Sequence, residues 1–168
     1  MELGQQVLHH VDSRFAEAFH LIAHSAGQLN TGQIWHRPSS SSNSVGIIIQ
    51  HLTGNLHQWI LDGLGGKEYH RNRPMEFKEG ERAPQEKILP QFSQLGEKVH
   101  DVIVHTSPET LLEPRRIQGF DHTVLSALIA AVTHFELHAG QIAYISKLIL
   151  NEKYQESWKP ASPEQGSR

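Results

Sequence analysis

Two histidines four positions apart, His134 and His138, stand inside an apolar run that otherwise reads as a buried helix. Four residues is about one helical turn, so both imidazoles leave the same face. Two uncompensated imidazoles on a core face are costly, and a bound metal ion is the simplest compensation. The bland alternative is a pair of hydrogen-bonded core histidines. The pattern is not the H-E-x-x-H motif of zinc proteases, because Phe135 follows His134 and the nearest carboxylate is Glu136. Glu136 should point away from the pair, so it is not assigned as a general base.

A third ligand is available further up the chain. His51 shares a helical stripe with Ile48, Leu52, Asn55 and Trp59, so it too faces the core. His57 lies on the opposite face and is expected in solvent. His20 and His24 form a competing pair, but they lie opposite the stripe Phe15, Phe19, Ile22 and Ala26 and read as surface residues. His9 and His10 cannot both face the core. His36, His70 and His122 fall in loops or at a helix end, and His100 and His105 do not share a face.

Four helical segments must position these residues. The first runs from about Glu2 to Leu29, and a polar loop follows to Asn43. Ser44, or Asn43 beside it, can cap the second, which reaches about Leu64 and ends at Gly65-Gly66. The polar stretch from Lys67 to Ala83 reads as a long loop. Pro84 suits the first turn of the third helix, whose stripe is Ile88, Phe92, Leu95, Val99, Val102 and Ile103. Ser107-Pro108-Glu109 reads as a cap and short helical turn, and residues 115–120 as a linker that could be extended. The fourth helix runs from near His122 to about Asn151, with a stripe through Thr123, Ala127, Ala130, His134, His138, Gln141, Ile145 and Leu148. The expected architecture is all-α: a four-helix bundle with a long loop between helices two and three. One domain spans residues 1–151, followed by a loose polar tail, 152–168.

Composition narrows the chemistry. The chain has 168 residues, a formal net charge of -3 and no cysteine. Without thiolates, a transition-metal site must use histidine and carboxylate. The charge makes no case for nucleic acid or an anionic membrane as partner. No basic, apolar leader opens the sequence and no segment is apolar enough to span a bilayer, so a cytoplasmic protein is expected. A small molecule is the expected partner.

The same residues carry a resemblance. Gly46-Ile47-Ile48-Ile49-Gln50-His51-Leu52-Thr53-Gly54-Asn55-Leu56, followed by Trp59, resembles the second-helix motif of the DinB-like (YfiT-like) metal-binding four-helix bundles. His134-Phe135-Glu136-Leu137-His138-Ala139-Gly140-Gln141-Ile142 resembles their last-helix motif, and Arg71 to Phe77 is similar to a loop signature of one uncharacterised bacterial subgroup. The resemblance implies a facial site of His51, His134 and His138, open to substrate and holding nickel, zinc or another divalent ion. It also implies a homodimer. Characterised relatives transfer low-molecular-weight thiols such as bacillithiol or mycothiol, or isomerise maleylpyruvate with a thiol; others carry the label of metal-dependent hydrolase.

Three neutral imidazoles leave one open position on tetrahedral zinc and three on octahedral nickel. Such a position can activate water, polarise a carbonyl or hold a thiolate. Asn55 and Gln141, each near one turn from a ligand, could bond to a ligand ring or orient substrate, or be ordinary polar groups of the bundle. Trp59 could line the pocket or belong to the core. Arg71, Arg73, Arg115 and Arg116 could bind a carboxylated thiol, or be solvated. Gly140, with Ala139 and Ala143, makes a small-residue patch that suits close packing or a dimer seam. Two function classes follow. One is a metal-dependent transferase of a thiol to an electrophile, with hydrolysis as rival chemistry. The other is a non-catalytic metal or ligand-binding bundle of the stress response. Metal should leave as the pH falls below about 6, as imidazoles protonate.

Overall fold

A computed structural model of the chain describes residues 2–78 and 82–158. Four long helices form an all-α bundle, as the periodicity predicts. Helix α1 (Leu3–Gly27) buries Leu8, Val11, Phe15, Ala18, Ile22 and Ala26, three or four residues apart. A short α2 (Thr31–Ile34) follows, its first turn capped by the Asn30 side chain on the Gln33 N–H. Helix α3 (Val45–Leu56) starts where the sequence places it: the Ser44 hydroxyl accepts from the Ile47 N–H at 3.2 Å.

Beyond Leu56 the helix widens into a π-helical stretch, His57–Asp62. The Gly63 N–H donates to Gln58 O at 3.0 Å and the Gly65 N–H to Ile60 O at 2.9 Å, each five residues back. The extra residue per turn rotates the inner face. Ile60 and Leu61 are buried, while Trp59, expected on the inner stripe, is half-buried.

Helix α4 (Arg73–Glu76) interrupts the stretch expected to be a long loop. Residues 79–81 of that stretch lie outside the described residues. Helix α5 (Gln85–Val104) begins just after Pro84 and buries Ile88, Phe92, Leu95, Val99 and Ile103. A 3-10 turn, Pro108–Thr110, follows at the predicted place. The expected linker is instead an antiparallel hairpin of β1 (Pro114–Ile117) and β2 (Phe120–Thr123), with Pro114 opposite Thr123 and Ile117 opposite Phe120. Its two-residue turn has φ of 54° at Gln118 and 81° at Gly119, and such primed turns match the twist of the strands. Ile117 packs on Gly63, where an added Cβ would stand 2.7 Å from its Cδ1. The hairpin is thereby docked on the end of the π-helical stretch.

Helix α6 (Val124–Leu150) is capped by Thr123. It buries Leu128, Ala131, Val132, Phe135, Ala139, Ile142 and Ser146. This stripe is displaced from the expected one. Ala127 is buried as predicted, but Ala130, Gln141 and Leu148 are exposed, and His134 and His138 lie half-buried at its margin. Helices α1 and α3 each pack against both α5 and α6, so the square runs α1–α5–α3–α6. Phe15, Phe19, Phe92 and Phe135 meet in its core, with ring centroids 4.5 Å apart for Phe19 and Phe135 and 5.0 Å for Phe19 and Phe92. That cluster anchors the turn of α6 that carries His134.

After α6, Tyr154 and Gln155 lie against α1. The Tyr154 hydroxyl is 2.8 Å from buried Ser25 Oγ, and Gln155 O accepts from Gln28 Nε2 at 3.0 Å. Residues 159–168 of the expected loose tail lie outside the described residues. Among the described residues no helix is long and apolar enough to cross a membrane.

Candidate metal centre

Because α3 and α6 are neighbours, His51 on one faces His134 and His138 on the other. Their potential ligand atoms all lie within 4.8 Å of one another. The ring centroids are 5.1 Å apart for His51 and His134, 5.1 Å for His51 and His138, and 4.5 Å for His134 and His138. His51 Nε2 stands 3.1 Å from His134 Nε2, a spacing at which the two nitrogens can share at most one proton. His51 is buried, and the other two rings are half-buried. The group is thus closed on the α3 side and open on the other. Among the described residues no fourth His, Asp or Glu joins it.

Two of the three rings have their other nitrogen committed. His51 Nδ1 is 2.9 Å from Glu76 Oε2. An ionised carboxylate only accepts, so Nδ1 carries the proton and Nε2 the lone pair. His138 Nδ1 is 2.7 Å from Gln141 Oε1, which gives the same tautomer if that oxygen is the acceptor. His134 Nδ1 is buried with no hydrogen-bond partner among the described residues.

Glu76 is itself held. Arg71 donates from Nε to Oε1 at 2.6 Å and from Nη2 to Oε2 at 2.8 Å, a two-pronged contact with only 3% of the Arg71 side chain exposed. Arg71 also donates to Gln58 Oε1 at 3.3 Å. Its Nη2 lies 3.3 Å from His51 Nδ1, where both groups are donors aimed at the same carboxylate. The pair lies directly on α3 at Gly54, where an added Cβ would overlap Glu76 Oε1 and stand 3.2 Å from Arg71 Nε.

All three histidines titrate below the ordinary imidazole value. Burial is the main cause for each. The neighbouring imidazoles and the Arg71 and Arg73 charges add to it at His134, whose pKa falls to about 4. The hydrogen bond to Glu76 opposes the shift at His51, and the bond to Gln141 opposes it at His138. At neutral pH the three rings are neutral, which is the state a metal ion requires of them. Converging neutral nitrogens, with two of the three rings only half-buried, fit a divalent ion.

The other residues singled out in the sequence fall as follows. Gln141 reaches the His138 ring. Asn55 is buried with Oδ1 unpartnered, and half-buried Trp59 has Nε1 unpartnered while its ring meets that of His122 at 5.0 Å. The His20 and His24 rings are 6.3 Å apart on the surface, and His24 bonds to Gln155 O. His57, expected in solvent, is half-buried against Tyr69 at 4.8 Å. Glu136 turns away to Arg14, as anticipated. Arg71 is buried and paired, so it is no free receptor for a substrate. Arg115 and Arg116 pair with Glu113 and Asp121, each at 3.0 Å. Arg73 is exposed over the Phe77 ring at 5.2 Å and makes no ion pair among the described residues.

Sequence reasoning missed Glu76 and the role of Arg71, since neither lies in a periodic segment. One usable signal was Gly54: a glycine inside a helix costs about 1 kcal/mol against alanine and can mark a close approach.

No curated protein matches the chain. The sequence model of one family, described as "Protein of unknown function (DUF1572)", matches residues 2–160. That span holds all four long helices, the three histidines and the Arg71–Glu76 pair, and the chain belongs to the DUF1572 family.

Proposed function

We propose that the protein binds one divalent ion, nickel or zinc, through His51, His134 and His138, and transfers a low-molecular-weight thiol to an electrophile. The observation that carries the metal reading is the convergence of three neutral imidazoles within 4.8 Å, open on one side. The resemblance to the DinB-like thiol transferases extends it to the reaction. A bound ion would supply Lewis acidity, lowering the pKa of a thiol so that it is a thiolate at neutral pH.

Among the described residues, the carboxylates nearest the histidines favour transfer over hydrolysis. Hydrolysis gains from a carboxylate base beside the ligands. Glu76 is engaged by Arg71 and His51, and Glu136 by Arg14. A thiol that has already lost its proton to solvent needs no such base: its sulfur bonds to the electrophilic carbon, and the leaving group departs with the electron pair. Arg73 makes no ion pair among the described residues and lies over Phe77, whose ring is 5.2 Å from that of His51. It suits a carboxylate on the thiol or the electrophile.

Elemental analysis of tag-free protein tests the first half. Wild type and His24→Ala should hold about one divalent ion per chain, and His51→Ala close to none. Full metal content in His51→Ala would sink the assignment. Loss of thiol in a mixture of bacillithiol and an alkylating electrophile tests the second half. No acceleration by metal-loaded protein across a panel of thiols would move the reading to a non-catalytic binding bundle. Within an active enzyme, Arg73→Ala should raise KM for the carboxylated substrate about 10- to 100-fold, matching the roughly 1.5–3 kcal/mol of one charge-assisted bond, and leave kcat nearly unchanged.

We also propose a homodimer. Ile129, Leu137, Tyr144 and Leu148 are exposed along one side of α6, with Gly140 among them. His134 and His138 lie between this stripe and the core.

A further inference from the structure

We propose that Glu76, clamped by Arg71 over Gly54, is the positioning residue that aims His51 at the metal; this rests on the metal reading above. An imidazole on a helix can rotate about χ2 and exchange its two tautomers. Either change would turn a C–H or N–H, rather than a lone pair, toward His134 and His138. The Glu76 Oε2 bond to Nδ1–H at 2.9 Å fixes both ring orientation and tautomer.

The construction around Glu76 exceeds what a structural ion pair needs. The Glu76 side chain is 9% exposed and that of Arg71 3%, so both charges are taken out of water. Buried pairs of this kind are no more stabilising than well-packed apolar groups. Here the carboxylate is a bridge: Arg71 holds both oxygens, and one of them also holds the ring. A Cβ at residue 54 would push the Glu76 carboxylate from its present seat on α3. Among the described residues the other two histidines lack an anionic partner, since His138 meets neutral Gln141 and His134 Nδ1 has no hydrogen-bond partner. His51 is therefore the one ring oriented by a carboxylate among the described residues, and its orientation comes from a segment, α4, outside the four bundle helices.

A purely structural role would make Glu76 a staple that holds residues 71–77 on α3. Zinc titration of the full chain against a chromophoric chelator separates the two, with thermal melts run alongside. Glu76→Ala should weaken zinc binding about 10- to 100-fold, the usual cost of removing a carboxylate behind a ligating histidine. Glu76→Gln keeps an oxygen for Nδ1–H and should recover part of the loss. Gly54→Ala should weaken zinc to a similar extent with Glu76 intact, and the double variant should be no weaker than Glu76→Ala alone. Imidazole nitrogen NMR of the metal-free protein should show the Nδ1–H tautomer at His51 in wild type and a mixture in Glu76→Ala. Wild-type affinity and an unchanged tautomer in the glutamate variants would overturn the positioning role and leave the three-histidine site standing. Absence of zinc uptake by wild type would overturn both. Should Glu76→Ala fail to fold, Glu76→Gln and Gly54→Ala decide the matter.

Discussion

At the scale of single residues, the site's chemistry is set by how far burial and neighbouring charge hold three imidazoles from protonation. His134 has a pKa of about 4, against 6.5 for an ordinary histidine. Between those values the unfolded metal-free chain binds more protons than the folded one, so stability rises with pH across that window. The stability contributed by neutral His134 is therefore present above pH 6.5 and lost as the pH falls toward 4. His51 and His138 are lowered too and act in the same direction. Urea unfolding of metal-free protein should show wild type losing more stability from pH 7 to pH 4.5 than His134→Gln; parallel curves for the two would contradict the shift. The same shift moves proton competition for the metal below the pH near 6 expected of unperturbed rings. The clustering of the three histidines was legible because helical spacing turns His134, His138 and His51 toward the bundle. Their exact depth was not, because periodicity fixes a face to within a residue or so, and His134 and His138 ended at the margin of the stripe. Glu76 and Arg71 were illegible as partners because nothing local in a polar stretch shows which way a carboxylate will point.

Among the elements, the four long helices and the turn at Pro108–Thr110 were readable, while the π-helical stretch, α4 and the paired hairpin were not. A helix such as α5 announces itself through Ile88, Phe92, Leu95, Val99 and Ile103, whose burial depends only on period and hydrophobicity. The π-helical stretch, α4 and the β1–β2 hairpin depend on what they touch: Ile117 on Gly63, Gln118 on Gln58, Glu76 on Gly54. No local propensity encodes such contacts. Gly46 illustrates the same dependence at the start of α3. Alanine for glycine inside a helix ordinarily gains about 1 kcal/mol. At position 46 an added Cβ would stand 2.7 Å from two ring carbons of Trp35. Trp35 cannot easily yield, being buried and bonded from Nε1 to Ala83 O at 2.9 Å. Gly46→Ala should therefore lose about 1–3 kcal/mol, the usual cost of overpacking. A lowered Tm and a shifted tryptophan emission would show it; a raised Tm would mean that the helix preference wins.

For the molecule as a whole, the open question is what covers the outer side of α6. A solitary exposed apolar residue is ordinary, but Leu137 and Tyr144 are 61% and 63% exposed, and Ile129 and Leu148 continue the same side of the helix. Nothing lies within 4 Å of a Cβ added at Gly140, so the surface is lowest at the middle of this stripe. A second copy crossing there could bring its own α6 close, with the two stripes complementary under a twofold axis. Twenty-seven residues of helix give roughly 40 Å of length. Paired along much of that length, two copies could reach the roughly 1,200–2,000 Å² typical of specific interfaces. Light scattering behind a sizing column should give the mass of two chains for wild type and of one chain for Leu137→Glu with Tyr144→Glu. The monomeric variant should keep its zinc, because the charges are added beside the ligands and not among them. Wild type running as a monomer throughout the micromolar range would leave the stripe without a second copy and remove the dimer from the proposal. Loss of zinc together with loss of the dimer would instead show that α6 needs its partner to hold His134 and His138 in place.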